Sequence, residues 1–163
     1  MVAPFERVVQ EHGATVYRVC AAVVGPDEAE DAWVETWLAA LRAYPGLRAD
    51  SDLRAWLVTI AHRKAIDMYR ARARRAVPLG DLPELAGMED RYCEADPSLY
   101  GLLRALPDKQ RLAVAYRYLG DLSYADVAAL LGSNEAAARR AAADGIAALR
   151  RRYQPASLTE EAR

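Results

Sequence analysis

Residues 123–140 read SYADVAALLGSNEAAARR. A helix-turn-helix packs two helices at a steep angle across a short turn, and this stretch has the residues that geometry asks for. Ala128 is small where the second helix must cross the first, Gly132 tolerates a positive φ in the turn, and Ala138 stands at the inward position of the second helix. Val127, Leu130 or Leu131, Ile146 and Leu149 can complete the core. Ser123 can cap the first helix, with Asp126 at the third helical position as its capping-box partner. The second helix is nearly half alanine. Its polar residues near the start, Asn134, Glu135, Arg139 and Arg140, are of the types that pair with adenine, cytosine and guanine edges. An ordinary antiparallel helix pair in an alanine-rich segment would show the same spacing, so the motif alone leaves both readings open.

Working outward, residues 98–153 predict helices at about 98–105, 108–119, 123–131 and 134–152, followed by a tail at 154–163. This block carries nine basic and five acidic residues. Before it lies AVPLGDLPELAGMEDRYCEADP (76–97), with one basic and six acidic residues and three prolines. It has no sustained helical period and reads as a linker. Residues 1–75 are nearly balanced, with eleven basic and ten acidic groups. The asymmetry says more than the overall net charge of −1.

The first block divides into three helices. Phe5, Val8, Val9, Val16, Val19, Cys20 and Val23 make one apolar face over 5–24. GPDEAED supplies a break and an acidic first turn. The next helix runs to about Tyr44, with Ala29, Trp33, Trp37, Ala40 and Leu41 as its apolar face, and stops at Pro45-Gly46. A third helix starts after Ser51 or Asp52 as N-cap and reads LRAWLVTIAHRKAIDMYRARARR. Its first half packs Leu53, Trp56, Leu57, Ile60 and Ala61. From Arg63 to Arg75 it turns basic: Arg63, Lys64, Arg70, Arg72, Arg74 and Arg75 against Asp67. A solvated helix end, favoured by the helix dipole, and a polyanion-binding surface both account for that run.

The composition, 53% apolar and 28% charged, is that of a globular protein. No apolar run reaches the roughly 18 residues of a membrane helix, and the N-terminus lacks an apolar signal core. Two distant cysteines, Cys20 and Cys93, suit a reducing, cytoplasmic setting. His12, expected against the first core, and His62, expected to face solvent, stand alone. No phosphate-binding loop, nucleophile elbow or zinc signature is present. The pair Glu30 and Asp31 sits in an acidic helix start, which suits a protein contact better than acid–base work. No catalytic site, cofactor or metal site is expected.

Taken together, AEDAWVETWLAAL, LRAWLVTIAHRKAIDMYRARARR and LRALPDKQRLAVAYRYLGDLSYADVAALLG follow in an order that resembles the extracytoplasmic-function sigma factors of bacterial RNA polymerase. The resemblance covers roughly residues 5–152. It implies an all-α chain of two small helical domains, a three-helix region 2 (1–75) and a helix-turn-helix region 4 (98–153), joined by the acidic linker. It implies a non-enzymatic initiation subunit whose partners are core polymerase and promoter DNA, and it allows an anti-sigma factor. Neither a membrane nor a small-molecule substrate is implied. Glu30, Asp31, Glu35, Thr36 and Trp37 fall in the segment that docks on the clamp helices of the largest polymerase subunit. Residues 46–70 resemble the part that recognises and opens the minus-ten element. For DNA, Arg63, Lys64, Tyr69, Arg70, Arg72, Arg74 and Arg75 are the candidates there. Asn134, Glu135, Arg139 and Arg140 are the candidates at the minus-thirty-five element.

Two departures bear on the reading. An arginine replaces the asparagine usual near Arg63. Ala136–Ala141 lack the usual glycine, threonine, valine and serine, and Asp144 stands where a later arginine is expected. Removing one cationic partner of a phosphate lowers the salt slope by roughly one. A sigma-like decoy with a protein-contacting second domain and a free-standing helix-turn-helix regulator are the alternative functions. Acidity in the linker would also permit self-inhibition against residues 63–75.

Overall fold

The computed structural model describes residues 3–75 and 97–153. Helices α1 (Phe5–Val24), α2 (Pro26–Ala43) and α3 (Leu53–Arg75) form the first unit. Helices α4 (Pro97–Arg104), α5 (Asp108–Val114), α6 (Tyr124–Leu131) and α7 (Glu135–Arg152) form the second. No strand occurs among the described residues. Cys93, the acidic residues of 76–96 and the self-inhibition they suggested lie outside the described residues, as does the tail from 154.

The first unit starts and stops its helices by backbone chemistry. Gly25 ends α1 at φ 88°, a conformation that costs a side chain, and Pro26 opens α2 where no N–H is needed. Asp52 is the cap of α3: its Oδ1 accepts from the Ala55 N–H at 3.1 Å. Val8, Val16, Val19, Leu57, Val58, Ala61 and the alanines 29, 32 and 40 close the core between the three helices. An aromatic cluster seals one end. Phe5 meets Trp37 and Tyr44 edge-on at 5.8 and 5.2 Å, and the Trp33 indole donates to the Gly13 carbonyl at 2.9 Å. Leu41, expected on the apolar face, is instead 52% exposed. The stripe 33, 37, 40 is the one that packs inward, and Leu41 falls on the adjacent stripe.

In the second unit the helix that begins at Asp108 widens into a π turn over Ala115–Leu119. The Gly120 N–H reaches the Ala115 carbonyl, and the Leu122 N–H reaches Tyr116. Such turns redirect a side chain within an otherwise regular helix, and here Tyr116 is carried to complete burial. The helix-turn-helix forms as its spacing required. Gly132 takes φ 61°, and Val127, Ala128, Ala138 and Ala142 are buried, with Leu130, Leu131, Ile146 and Leu149 packed partly against them. Ser123 caps α6 by accepting from the Asp126 N–H at 3.1 Å. Asp126 departs from the capping box, since its carboxylate accepts a hydrogen bond from the Ser123 hydroxyl rather than from a backbone N–H.

The two units touch. Helix α1 packs α2 and α3 on one side and meets α4, α5 and the π turn on the other, which is why Ala21, Ala22 and Val24 are buried as well as its inward face.

Candidate nucleic-acid interface

The helix-turn-helix presents arginines held by an aromatic ring. Tyr124, in the first turn of α6, has the guanidinium of Arg139 from α7 at 4.5 Å from its ring centre and that of Arg117 at the same distance. Arg117 also donates to the Leu122 carbonyl at 2.8 Å, and Arg139 to Glu135 at 2.7 Å. Tyr118, 55% exposed, is hydrogen-bonded to Tyr124, which raises its pKa above the ordinary value. Two arginines, two tyrosines and Glu135 thus form one surface cluster where the two helices of the motif meet.

Each base-reading candidate on α7 has a definite place. Asn134 is the N-cap: its Oδ1 accepts from the Ala137 N–H at 2.8 Å, so that oxygen is committed to the helix start. Glu135 is committed to Arg139 by their ion pair. Arg140 is exposed and makes no ion pair among the described residues. Asp144 and the alanines 136, 137 and 143 are exposed beside it.

On α3, Arg63, Tyr69, Arg70, Arg74 and Arg75 are exposed and Lys64 is half-buried. Arg72 is drawn back to α2 by an ion pair with Glu28 at 2.9 Å. Arg63, Arg70, Arg74 and Arg75 remain as the guanidiniums of this run without an ion pair among the described residues. His62 does not face solvent as its isolation suggested. It is half-buried, its Nδ1 hydrogen-bonded to the Tyr116 hydroxyl and its ring edge-on to that tyrosine. Burial, and then Arg63 and Arg70, hold its pKa below 6.5. His62, Ile66 and Arg70 line a cavity of about 340 Å³ whose other wall is the helix-turn-helix.

On α2, the polymerase-docking candidates divide. Glu30, Asp31 and Glu35 are exposed. Thr36 and Trp37 are buried at 0% and 7%, Thr36 donating to the Ala32 carbonyl and Trp37 packing on Phe5 and Trp33, so neither can touch a partner directly. Val34, Leu38 and Leu41 take their place on the surface, 42%, 42% and 52% exposed. Helical spacing sets them on one face with Asp31 and Glu35. The signal for this face is a second apolar stripe on α2, parallel to the first and one residue along from it. The Arg117–Tyr124–Arg139 cluster has no comparable local signal, because its members are distant in sequence.

Among the described residues no group of His, Cys, Asp and Glu could hold a metal ion, and no helix is long and apolar enough to cross a membrane. Cys20 is buried, and burial pushes its thiol up to about 12.

This architecture defines a two-unit, all-α protein with a helix-turn-helix behind a basic-ended three-helix unit. Sigma-70 region 2 matches residues 8–75 and Sigma-70 region 4 matches residues 98–149. The ECF RNA polymerase sigma factor SigC of Mycobacterium tuberculosis (strain CDC 1551 / Oshkosh) is 32% identical over 148 residues, covering 88% of this chain and 80% of its own. The ECF RNA polymerase sigma factor BldN of Streptomyces coelicolor (strain ATCC BAA-471 / A3(2) / M145) is 34% identical over 146 residues, covering 82% of this chain. The chain spans 54% of that relative and 65% of the sigma factor SigD of Mycobacterium tuberculosis. The sigma factor RpoE from Bartonella quintana, solved in complex with the anti-sigma factor NepR, shares the fold with a TM-score of 0.68 at 21% identity, covering 90% of this chain and 94% of its own. The chain belongs to the ECF sigma factor family of bacterial RNA polymerase.

Proposed function

We propose that this chain is a promoter-selecting initiation subunit that binds core RNA polymerase and directs it to two DNA elements. The observation that carries the reading is the ordered pair of sigma regions on one chain. The acidic and apolar face of α2 (Asp31, Glu35, Val34, Leu38, Leu41) is the polymerase contact. The exposed cations of α3, with Tyr69, capture opened minus-ten DNA, because unstacked bases and exposed backbone call for aromatic and basic groups. The α6–α7 surface, with Arg117, Arg139 and Arg140, holds the minus-thirty-five duplex. The division into 1–75, 76–97, 98–153 and a tail at 154–163 is part of this reading, as are action in the cytoplasm and an anti-sigma antagonist. The role asks no catalytic group of the chain.

The test is reconstituted transcription. The purified chain is added to sigma-free core polymerase on pooled genomic fragments, and transcript starts are sequenced. Discrete starts sharing two upstream elements are expected. Tight core binding without specific starts would overturn the reading in favour of a decoy.

A further inference from the structure

Ala137, Ala138 and Ala141 share one face of α7 by helical spacing. They line the cavity of about 340 Å³ whose other wall includes Ile66 and Arg70 of α3. Close-packed interiors leave few voids larger than a water molecule, and a longer side chain at any of these three positions would take up this space. The floor is carbon. Ile66, Leu112, Leu130 and Leu131 line it and are half-buried. The rim is cationic. Arg70 of α3 and Lys109 of α5 line the cavity and are exposed, and neither makes an ion pair among the described residues. Asp108 is the carboxylate beside them, and its charge is already matched, since the Arg111 guanidinium donates to Asp108 Oδ1 at 3.0 Å. An apolar hollow with a few convergent polar groups, of about 300–1,000 Å³ and lying between packed units, is the usual form of a small-molecule site.

We propose that this cavity binds a small amphipathic carboxylate, its head between Arg70 and Lys109 and its apolar body against Ile66, Leu112, Leu130 and Leu131. Two cations at the mouth, without a carboxylate of their own, favour an anion over a neutral or cationic ligand. A planar guanidinium at the rim suits the two oxygens of a carboxylate. The aliphatic floor calls for a hydrocarbon body, because burying apolar surface is what such a floor can offer. It gives nothing to a nucleic-acid backbone, and the space is of small-molecule size. Both units build the site: α3 supplies Ile66 and Arg70, while α5, α6 and α7 supply the rest. The inference goes beyond the promoter reading and does not rest on it.

The probe is octanoate, titrated into the full chain and followed by backbone amide chemical shifts. One saturable site is expected, with a Kd of about 0.1–1 mM for a ligand of about ten non-hydrogen atoms. The shifts should centre on Lys109, Gly132, Ser133 and Ala137, which line the cavity. Octanamide, with the same chain and no charge, should bind about 5- to 30-fold more weakly, two exposed ion pairs being absent. Acetate, with the charge and no chain, should not saturate. Two variants of exposed residues locate the site. Lys109→Gln should weaken octanoate by about 2- to 5-fold and leave octanamide unchanged. Ala137→Leu keeps a strong helix former and fills the space, and should weaken both ligands at least about 10-fold, the worth of the apolar contact it displaces. Octanoate that fails to saturate overturns the proposal, as do shifts centred on another face. Octanamide binding as tightly as octanoate overturns the role of the cations. Undiminished binding by Ala137→Leu overturns the cavity as the place where the chain lies.

Discussion

Two glycines within helices should respond to the same substitution with opposite signs. Gly145 lies in α7 where that helix crosses α5. A Cβ there would stand 2.6 Å from Val114 Cγ2 and 3.2 Å from the Gln110 carbonyl. Gly101 lies in α4 with nothing within 4 Å of the same position. Alanine gains about 1 kcal/mol of helix propensity over glycine at either site. At Gly101 that gain stands nearly alone, so Gly101→Ala should stabilise by roughly 0.5–1 kcal/mol. At Gly145 the obstacles are a backbone oxygen and a β-branched side chain, which has one preferred rotamer in a helix and cannot step aside. Overpacking of this kind costs about 1–3 kcal/mol. Gly145→Ala should therefore lose about 1 kcal/mol net, a fall in Tm of roughly 2–4 °C for a chain of this size. Thermal melts followed by circular dichroism, with urea titrations as a check, read both. The double variant Gly145→Ala/Val114→Ala should lose less than the sum of its parts, since the second change vacates the space the first needs. A Gly145→Ala chain as stable as wild type, or a cycle with no coupling, would refute the close approach of α5 and α7.

Three further outcomes follow from the surface. Tyr124→Ala should weaken binding to the upstream promoter element by about 5- to 30-fold, two stacked guanidiniums at about 0.5–1 kcal/mol each being released. Tyr124→Phe should retain affinity, because the ring rather than the hydroxyl holds the arginines; equal loss in both would refute that role in fluorescence-polarisation titrations of the reconstituted complex. Leu38→Asp should weaken core-polymerase binding by roughly 10- to 100-fold, the worth of one buried leucine, with stability changed by no more than about 0.5 kcal/mol; unaltered binding in a pull-down titration would remove α2 from the contact. Acidification should loosen the contact at His62. Its folded pKa lies below 6.5, so its contribution is complete above about pH 6.5 and is lost as pH falls through the folded value. The groups around it are Arg63 and Arg70 on its own helix and Tyr116, Asp108 and Lys109 opposite, with Cys20 and Arg111 beside the tyrosine. Thermal melts between pH 8 and 5 should show a larger loss of stability on acidification in wild type than in His62→Gln.

Helix identity was legible because apolar period and stop signals agreed: Gly25-Pro26, Asp52 and Gly132 mark boundaries that the backbone then uses. The turn at Gly132 and the small residues at 128 and 138 were readable from spacing alone, since each answers a steric demand within the motif. What spacing could not carry was the choice between adjacent stripes. On α2, positions 33, 37, 40 and positions 34, 38, 41 are both apolar, and a helix period does not say which faces inward. The indole of Trp33 settles it by reaching Gly13 of another helix, a partner 20 residues away that no local pattern names. The burial of His62 was illegible for the same reason. Its partner, Tyr116, is 54 residues distant and is aimed by a π turn that the periodicity of 108–119 does not announce.

The alanine-rich stretch of α7 also has a physical account. Ala138, Ala142 and Gly145 are its buried positions, and small residues there let α7 lie close on α5 and α6. Larger side chains would hold the helices apart, as the Gly145 geometry makes plain. The exposed alanines contribute helix propensity and little else. With Asn134 capping the helix and Glu135 paired to Arg139, base-edge groups are few, while guanidiniums gather around Tyr124 at the junction of the two helices. Guanidiniums serve phosphates as well as guanines. On the proposed reading, a surface of this make-up is expected to position the protein along the backbone more than to discriminate sequence. Its binding should therefore fall steeply with salt and change little when single base pairs of the upstream element are exchanged. A salt titration against a set of point-mutated promoters would separate these two dependences. A loss of about 1–3 kcal/mol at individual base pairs, the cost of a mismatched direct contact, would refute the account.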